Sequence, residues 1–238
     1  MQQAFAGMLG MTSFPLINTV NVLYFDGAWN NCSNLTTFPL IDTSSGQTFG
    51  GCWAYCDALT VFPELVMSSA TIISTAWEHC IGLTAFPPLL LGNVQSCAYA
   101  WQYCLFFTCP VIGLGFCTNF EGAFSSCVNL DTMPQIDTSN GTNFNYMFSD
   151  CPSLTGWDGN PPLDMHNMTS GEGLFSAIDS DSYNLLLSEL AFGGFNTPNL
   201  NTGVLLANYN ALPTGAGFAS KAYLVSTLGW TVQDADTP

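Results

Sequence analysis

The chain has 238 residues with 17 acidic side chains, Lys221 as its only lysine and no arginine, for a formal net charge of −16. Gripping nucleic acid takes several Lys or Arg set against phosphates, and an anionic lipid surface makes the same demand, so both partner classes are excluded. Charged residues are only 8%, so Ser, Thr, Asn, Gln and Gly must cover the surface, as on extracellular proteins and virions; no apolar run reaches the about 18 to 20 residues that span a bilayer, and no membrane insertion is expected.

From the N-terminus, Met1 to Pro15 carries neither a basic segment nor a continuous apolar one, so no secretory signal is visible. Instead Phe5, Met8, Met11 and Phe14-Pro15 open a pattern that then recurs. Cys32, Cys56, Cys80, Cys104, Cys127 and Cys151 follow one another at gaps, by subtraction, of 24, 24, 24, 23 and 24. An aromatic stands three residues before each cysteine (Trp29, Trp53, Trp77, Trp101, then Phe124 and Phe148), and Leu-Thr-x-Phe-Pro-x-Ile or a near variant comes after. Such a period means one supersecondary unit per repeat, stabilised by its neighbours.

Within one repeat, Phe49, Trp53, Cys56 and Leu59 fall at i, i+4, i+7 and i+10, which predicts a short helix. Leu59-Thr60-Val61-Phe62 predicts a short strand ended by Pro63; prolines recur at Pro15, Pro39, Pro87, Pro110 and Pro134, and none can sit inside a parallel sheet. A turn such as Ile41 to Gly46 joins strand to helix. The expected fold is an α/β solenoid on a leucine-rich-repeat-like plan, with about seven 24-residue rungs over residues 1–175. The single gap of 23 reflects a deletion between Thr108 and Cys109, and residues 158–162 hold an insertion.

The six repeat cysteines and the four tryptophans form one expected core ladder. Neighbours one rung apart, roughly 4.8 Å, hold their Cβ atoms slightly beyond disulfide range, so the thiols are expected to be free and to pack as small hydrophobes. Cys52, Cys97, Cys109 and Cys117 occupy unrelated positions and read as individual substitutions.

Ile136 to Cys151 with Leu154-Thr155, an Asp-Thr-Ser turn followed by Met-Phe and then Cys-x-x-Leu-Thr, resembles the BspA-type leucine-rich repeats. That resemblance covers Phe5 to about Phe175 and implies a scaffold found in bacterial surface adhesins and in tail-fibre or other virion proteins of marine phages. Residues 176–238 resemble the tails of such arrays: a helix over Ser182 to Leu190 capped from Asp179, a strand at Gly203 to Leu206, a helix over Ala219 to Leu228 and a strand at Gly229 to Val232. Such a segment would cap the last rung.

Chemistry is sparse. His79 beside Cys80 reads as a surface histidine, His166 near Asp164 has no recognisable nucleophile motif, and the acid pairs Asp179/Asp181 and Asp234/Asp236 read as caps and terminus. Asp42-Thr43-Ser44 and Asp137-Thr138-Ser139 read as side-chain-to-backbone turns in preference to calcium ligands. No enzyme activity, cofactor or metal is expected. The apolar turns holding Val66, Met67, Leu90 and Leu91, with Val20 and Val22 nearer the N-terminus, form the candidate contact surface. The expected function is adhesion or structure in a phage tail fibre or similar virion appendage, reading a cell-surface glycan or protein; a bacterial surface adhesin and a self-assembling extracellular filament remain open. The uncovered rung of Phe5, Met8, Met11 and Phe14 is expected to meet another virion or filament subunit, with a homo-oligomer as one form of this.

Overall fold

The structure is a computed structural model that describes residues 1–106, 112–156, 163–176, 178–193, 199, 201, 204–208 and 212–235. Thr108, Cys109, Pro110, the insertion at 158–162, Gly203 and Asp236 lie outside these residues.

Segments one period apart lie side by side in parallel. One line of backbone bridges runs Tyr24, Thr48, Ile72, Ser96, Asn119, Asn143, Ser170; another joins Ser13, Thr37 and Val61, and a further bridge joins Ile112 to Ile136. Strand β1 (Val66–Met67) pairs with β2 (Leu90–Leu91). The Asp-Thr-Ser turns help set the register. Asp42 and Asp137 each accept from the backbone N–H two residues on, while the buried hydroxyls of Thr43 and Thr138 donate across to the carbonyls of Val66 and Asp164.

The helix expected in each rung is absent among the described residues of 1–176, and overlapping β-turns take its place. In Phe25 to Cys32, the N–H groups of Ala28, Asn30 and Cys32 close turns on the carbonyls of Phe25, Gly27 and Trp29 at 2.9–3.2 Å. The alternate N–H groups, of Phe25, Gly27, Trp29 and Asn31, donate at 2.8 Å to Thr48, Gly50, Cys52 and Ala54 of the next rung. An α-helix would direct every N–H to its own i−4 carbonyl; here half of them tie the rungs together. The path needs left-handed backbone at two positions four residues apart. These are Gly27 and Asn31, Gly51 and Tyr55, Thr75 and His79, Tyr99 and Tyr103, Gly122 and Ser126, and Tyr146 and Asp150. The apolar spacing that suggests a helix face is thus met by another backbone.

Two columns of rings fill the core. The indoles of Trp29, Trp53, Trp77 and Trp101 stack at 5.5–5.7 Å between centroids, and Phe124, Phe148 and Phe175 continue the pile. Phe14, Phe38, Phe62 and Phe86 stand edge-on to these indoles at 77–86°, the favoured arrangement for unlike faces of the ring quadrupole.

The six repeat cysteines are buried, and each does more than fill space. Cys32, Cys56, Cys80, Cys104, Cys127 and Cys151 donate S–H to the carbonyls of Phe5, Trp29, Trp53, Trp77, Trp101 and Phe124, the aromatic of the rung before, at 3.1–3.3 Å. Burial pushes the thiols of Cys56, Cys104 and Cys151 up to about 12.

A volume relation links several turns to the segment after them, with Val22 before Phe25 and Cys117 before Phe120 departing from it. A Cβ added at Gly46 or Gly141 would lie 2.4 Å or 2.2 Å from the ring of Phe49 or Phe144, three residues on. Where the later residue shrinks the earlier one grows: Ala70 with Ile73, Val94 with Cys97, Met168 with Gly171. Together the two positions fill one space.

In the C-terminal segment, β3 (Ser170–Gly171) pairs with β4 (Leu205–Asn208), which pairs with β5 (Thr231–Asp234), all parallel, and α1 (Ser180–Phe192) packs on α2 (Ala216–Leu228). Both expected helices fall inside these two. The expected strands begin two residues early against β4 and β5. Asp179 caps α1 by accepting from the Ser182 N–H at 2.8 Å, and Gly193 ends it in left-handed conformation. Lys221 Nζ donates to Asp234 Oδ2 at 2.5 Å, a carboxylate 1% exposed, so the sole lysine is bound within this segment.

Candidate functional site

Because the overlapping turns bury Phe49, Cys52, Trp53, Ala54 and Cys56, Tyr55 and its counterparts project outward and form a column along the stack. Among the first rungs this face holds a groove of about 580 Å³. Gln2, Gln3, Asn30 and Thr75 bring amides and a hydroxyl to its lining, Asp26 a carboxylate, and Gly27, Gly50 and Gly51 keep it open by lacking side chains. Asp26 Oδ1 accepts from the Gly50 N–H at 3.0 Å, and Oδ2 accepts from Thr48 Oγ1 at 2.5 Å and Gln2 Nε2 at 3.1 Å. Partial burial pushes this carboxyl up, but those hydrogen bonds outweigh it and hold the group below its ordinary value. The groove therefore presents a fixed anion among donors and acceptors at neutral pH.

On the same face, one left-handed position per rung carries Tyr55, His79 and Tyr103. The Tyr55 and His79 rings stack at 5.0 Å, and Tyr103 follows at 5.8 Å from His79. Tyr55 and Tyr103 are exposed. Tyr55 Oη donates to Glu78 Oε1 at 2.9 Å, and His79 Nδ1 lies 3.1 Å from Asp57 Oδ1. Tyr99, at the neighbouring left-handed position, donates to Glu121 at 2.6 Å, a bond that with burial pushes its phenol up to about 12. The rings form a row in which Tyr55 and His79 stack face to face and Tyr103 is tilted by 59°, so exposed ring edges and hydroxyl groups, flanked by carboxylates, are what the row offers a ligand.

The contact surface read from the sequence does not form as expected. Met67 is fully buried and Leu91 is 7% exposed: pairing of β1 with β2 sends alternate side chains into the core. Val66 and Val20 are exposed, and Val22 is half-buried against the core. Leu90 lies in β2 opposite Val66. A smaller groove of about 340 Å³ beside Val66 is lined by Leu40, Ile41, Asp42, Thr43, Ser44 and Glu64. The turn face escapes sequence reading because its residues differ in every rung. The one available signal is the recurrence of aromatics just before the repeat cysteines, at Tyr55, His79 and Tyr103.

His166 Nδ1 lies 2.5 Å from Asp164 Oδ1, and Asn167 from its side chain meets His166 Nε2 at 2.8 Å. Among the described residues no group of three His, Cys, Asp or Glu side chains is placed to hold a metal ion, and no helix is long and apolar enough to cross a membrane. Two of the cysteines read as individual substitutions are free thiols in contact. Cys97 and Cys117 meet, with Sγ atoms 3.4 Å apart in a buried contact.

Comparison with protein-family models, with curated proteins and with solved structures finds no match.

Proposed function

We propose that the chain is a leucine-rich-repeat-like solenoid, capped by its C-terminal segment and working as a non-enzymatic adhesion module of a phage tail fibre or similar virion appendage, whose turn face reads a glycan of the host cell surface. The observation that carries this reading is the outward aromatic strip of Tyr55, His79 and Tyr103 on the face that also holds the amide-lined groove around Asp26. The chain's single lysine is committed to Asp234. The face therefore has no lysine or arginine for sialic or uronic acids and favours uncharged sugars. Repetition along a stack lets several weak contacts act together.

The same reading gives the N-terminal edge to another virion subunit. In later rungs the carbonyls of Asp26, Ala28 and Asn30 accept from Gln3, Phe5 and Gly7; among the described residues no backbone N–H reaches the equivalent carbonyls of Gln2, Ala4 and Ala6. A segment that pairs with this row presents N–H donors to it.

The test is binding of the purified chain to immobilised neutral and anionic oligosaccharides and to intact cells. Binding confined to neutral glycans, reduced at least about tenfold in Tyr103→Ala while the melt is kept, is the expected result. Failure to bind any glycan or cell, or a preference for anionic sugars, overturns it.

A further inference from the structure

We propose that Cys97 and Cys117 are a modification site: under mild oxidation they form a disulfide that ties two adjacent rungs covalently. Each is the one cysteine of its column. Cys97 stands where Phe25, Phe49, Phe120 and Phe144 stand, and Cys117 stands where Gly46 and Gly141 stand. The smaller side chain in one rung and the larger one in the next meet at 3.4 Å, with both residues fully buried. Cys117 Sγ also lies 3.4 Å from the Asn119 carbonyl and 3.6 Å from that of Gln95, so carbonyl contact is common to this pair and the ladder thiols, and the Sγ–Sγ contact is what sets the pair apart. Each ladder thiol is turned to a main-chain carbonyl of the preceding rung, and burial raises Cys56, Cys80, Cys104 and Cys151. In the pair, the Cys97 thiol stabilises a thiolate on Cys117 and holds it below its ordinary value despite burial, while burial pushes Cys97 well above. In the proposed step Cys117 acts as the nucleophile and Cys97 as the resolving thiol.

The oxidant is a peroxide, small enough to enter a packed core during local opening. Cys117 thiolate attacks one peroxide oxygen, the O–O bond breaks, and hydroxide leaves a sulfenic acid on Cys117. Cys97 sulfur then attacks the Cys117 sulfur and expels hydroxide, which takes up the Cys97 proton as water. The balance is two thiols and one hydrogen peroxide giving one disulfide and two waters.

The experiment treats the native full chain with one equivalent of hydrogen peroxide, blocks the remaining thiols, and maps peptides without reduction. A dominant Cys97–Cys117 link, lighter by the mass of two hydrogens, with a Tm raised by several degrees and restored on reduction, is expected. Cys97→Ala should give no link and a Cys117 sulfenic acid trapped by dimedone. The proposal is overturned if both thiols are alkylated intact after unfolding, if the dominant link involves Cys109 or a ladder cysteine, or if oxidation stops at Cys117 in the unsubstituted chain. Should Cys97→Ala fail to fold, the peptide map of the unsubstituted chain decides alone.

Discussion

Thr75 is a β-branched residue at φ 56, where a Cβ crowds the following carbonyl at a cost of about 1–2 kcal/mol. Its counterparts Gly27, Gly51 and Gly122 avoid that cost. Thr75→Asn is therefore expected to stabilise the chain by about 1 kcal/mol, since Asn tolerates left-handed backbone; an unchanged or lower denaturation midpoint would contradict the turn geometry. The indoles make a second residue-scale case. Nε1 of Trp29, Trp53, Trp77 and Trp101 is buried without a hydrogen-bond acceptor, and the same column holds Phe124 and Phe148 further along. Shape, not the N–H, is what the position requires. Trp53→Phe should cost less than about 1.5 kcal/mol, whereas Trp53→Ala should cost about 3–5; equal losses in chemical denaturation would refute the distinction.

At the scale of the element, the overlapping turns predict a circular-dichroism spectrum in which, among the described residues, helix comes from the two 13-residue segments α1 and α2. A helical signal large enough for one helix per rung would restore the expectation read from the sequence. That expectation was reasonable. Phe49, Trp53 and Cys56 fit a helix face and this turn path equally well, and no side chain reports whether an N–H goes to its own rung or the next. Glycine at 27, 51, 122 and 173 carried the signal for left-handed backbone, but Tyr99 and Tyr146 at the same position diluted it. The cysteine and tryptophan columns were legible because every rung must fill the same buried space. The patch at Met67 and Leu91 was misread because two paired residues suffice to turn one side chain of each strand inward. The cysteine column also responds to pH. Its folded values near 12 exceed the ordinary 9.0 of Cys56, Cys104 and Cys151, so the fold favours the protonated thiol. The stability this contributes is complete below pH 9.0 and lost as pH rises toward about 12. Denaturation midpoints should be level on the neutral side and fall through that window; a midpoint that rises there would reverse the sign.

For the whole molecule, charge and packing separate cleanly. The one cation lies at the C-terminal end, where Lys221 meets a carboxylate on β5 while Tyr183 of α1 is fully buried close by in the same segment, its phenol pushed up first by burial and then by the Asp234 charge. Lys221→Met strips that buried carboxylate of its cation and should lower stability by about 3 kcal/mol, read as a lower Tm for the C-terminal segment; an unchanged melt would make the pair ornamental. The constant pairing distance has a kinetic consequence. Bonds between rungs join residues mostly 21 to 28 positions apart wherever they occur, from Gln3 with Asp26 to Phe148 with Leu174. The loop to be closed before two neighbours can pair is then the same at every point in the stack. Folding can begin at any adjacent pair and spread both ways, so adding a rung lengthens the reach of the molecule without lengthening the search that folds it.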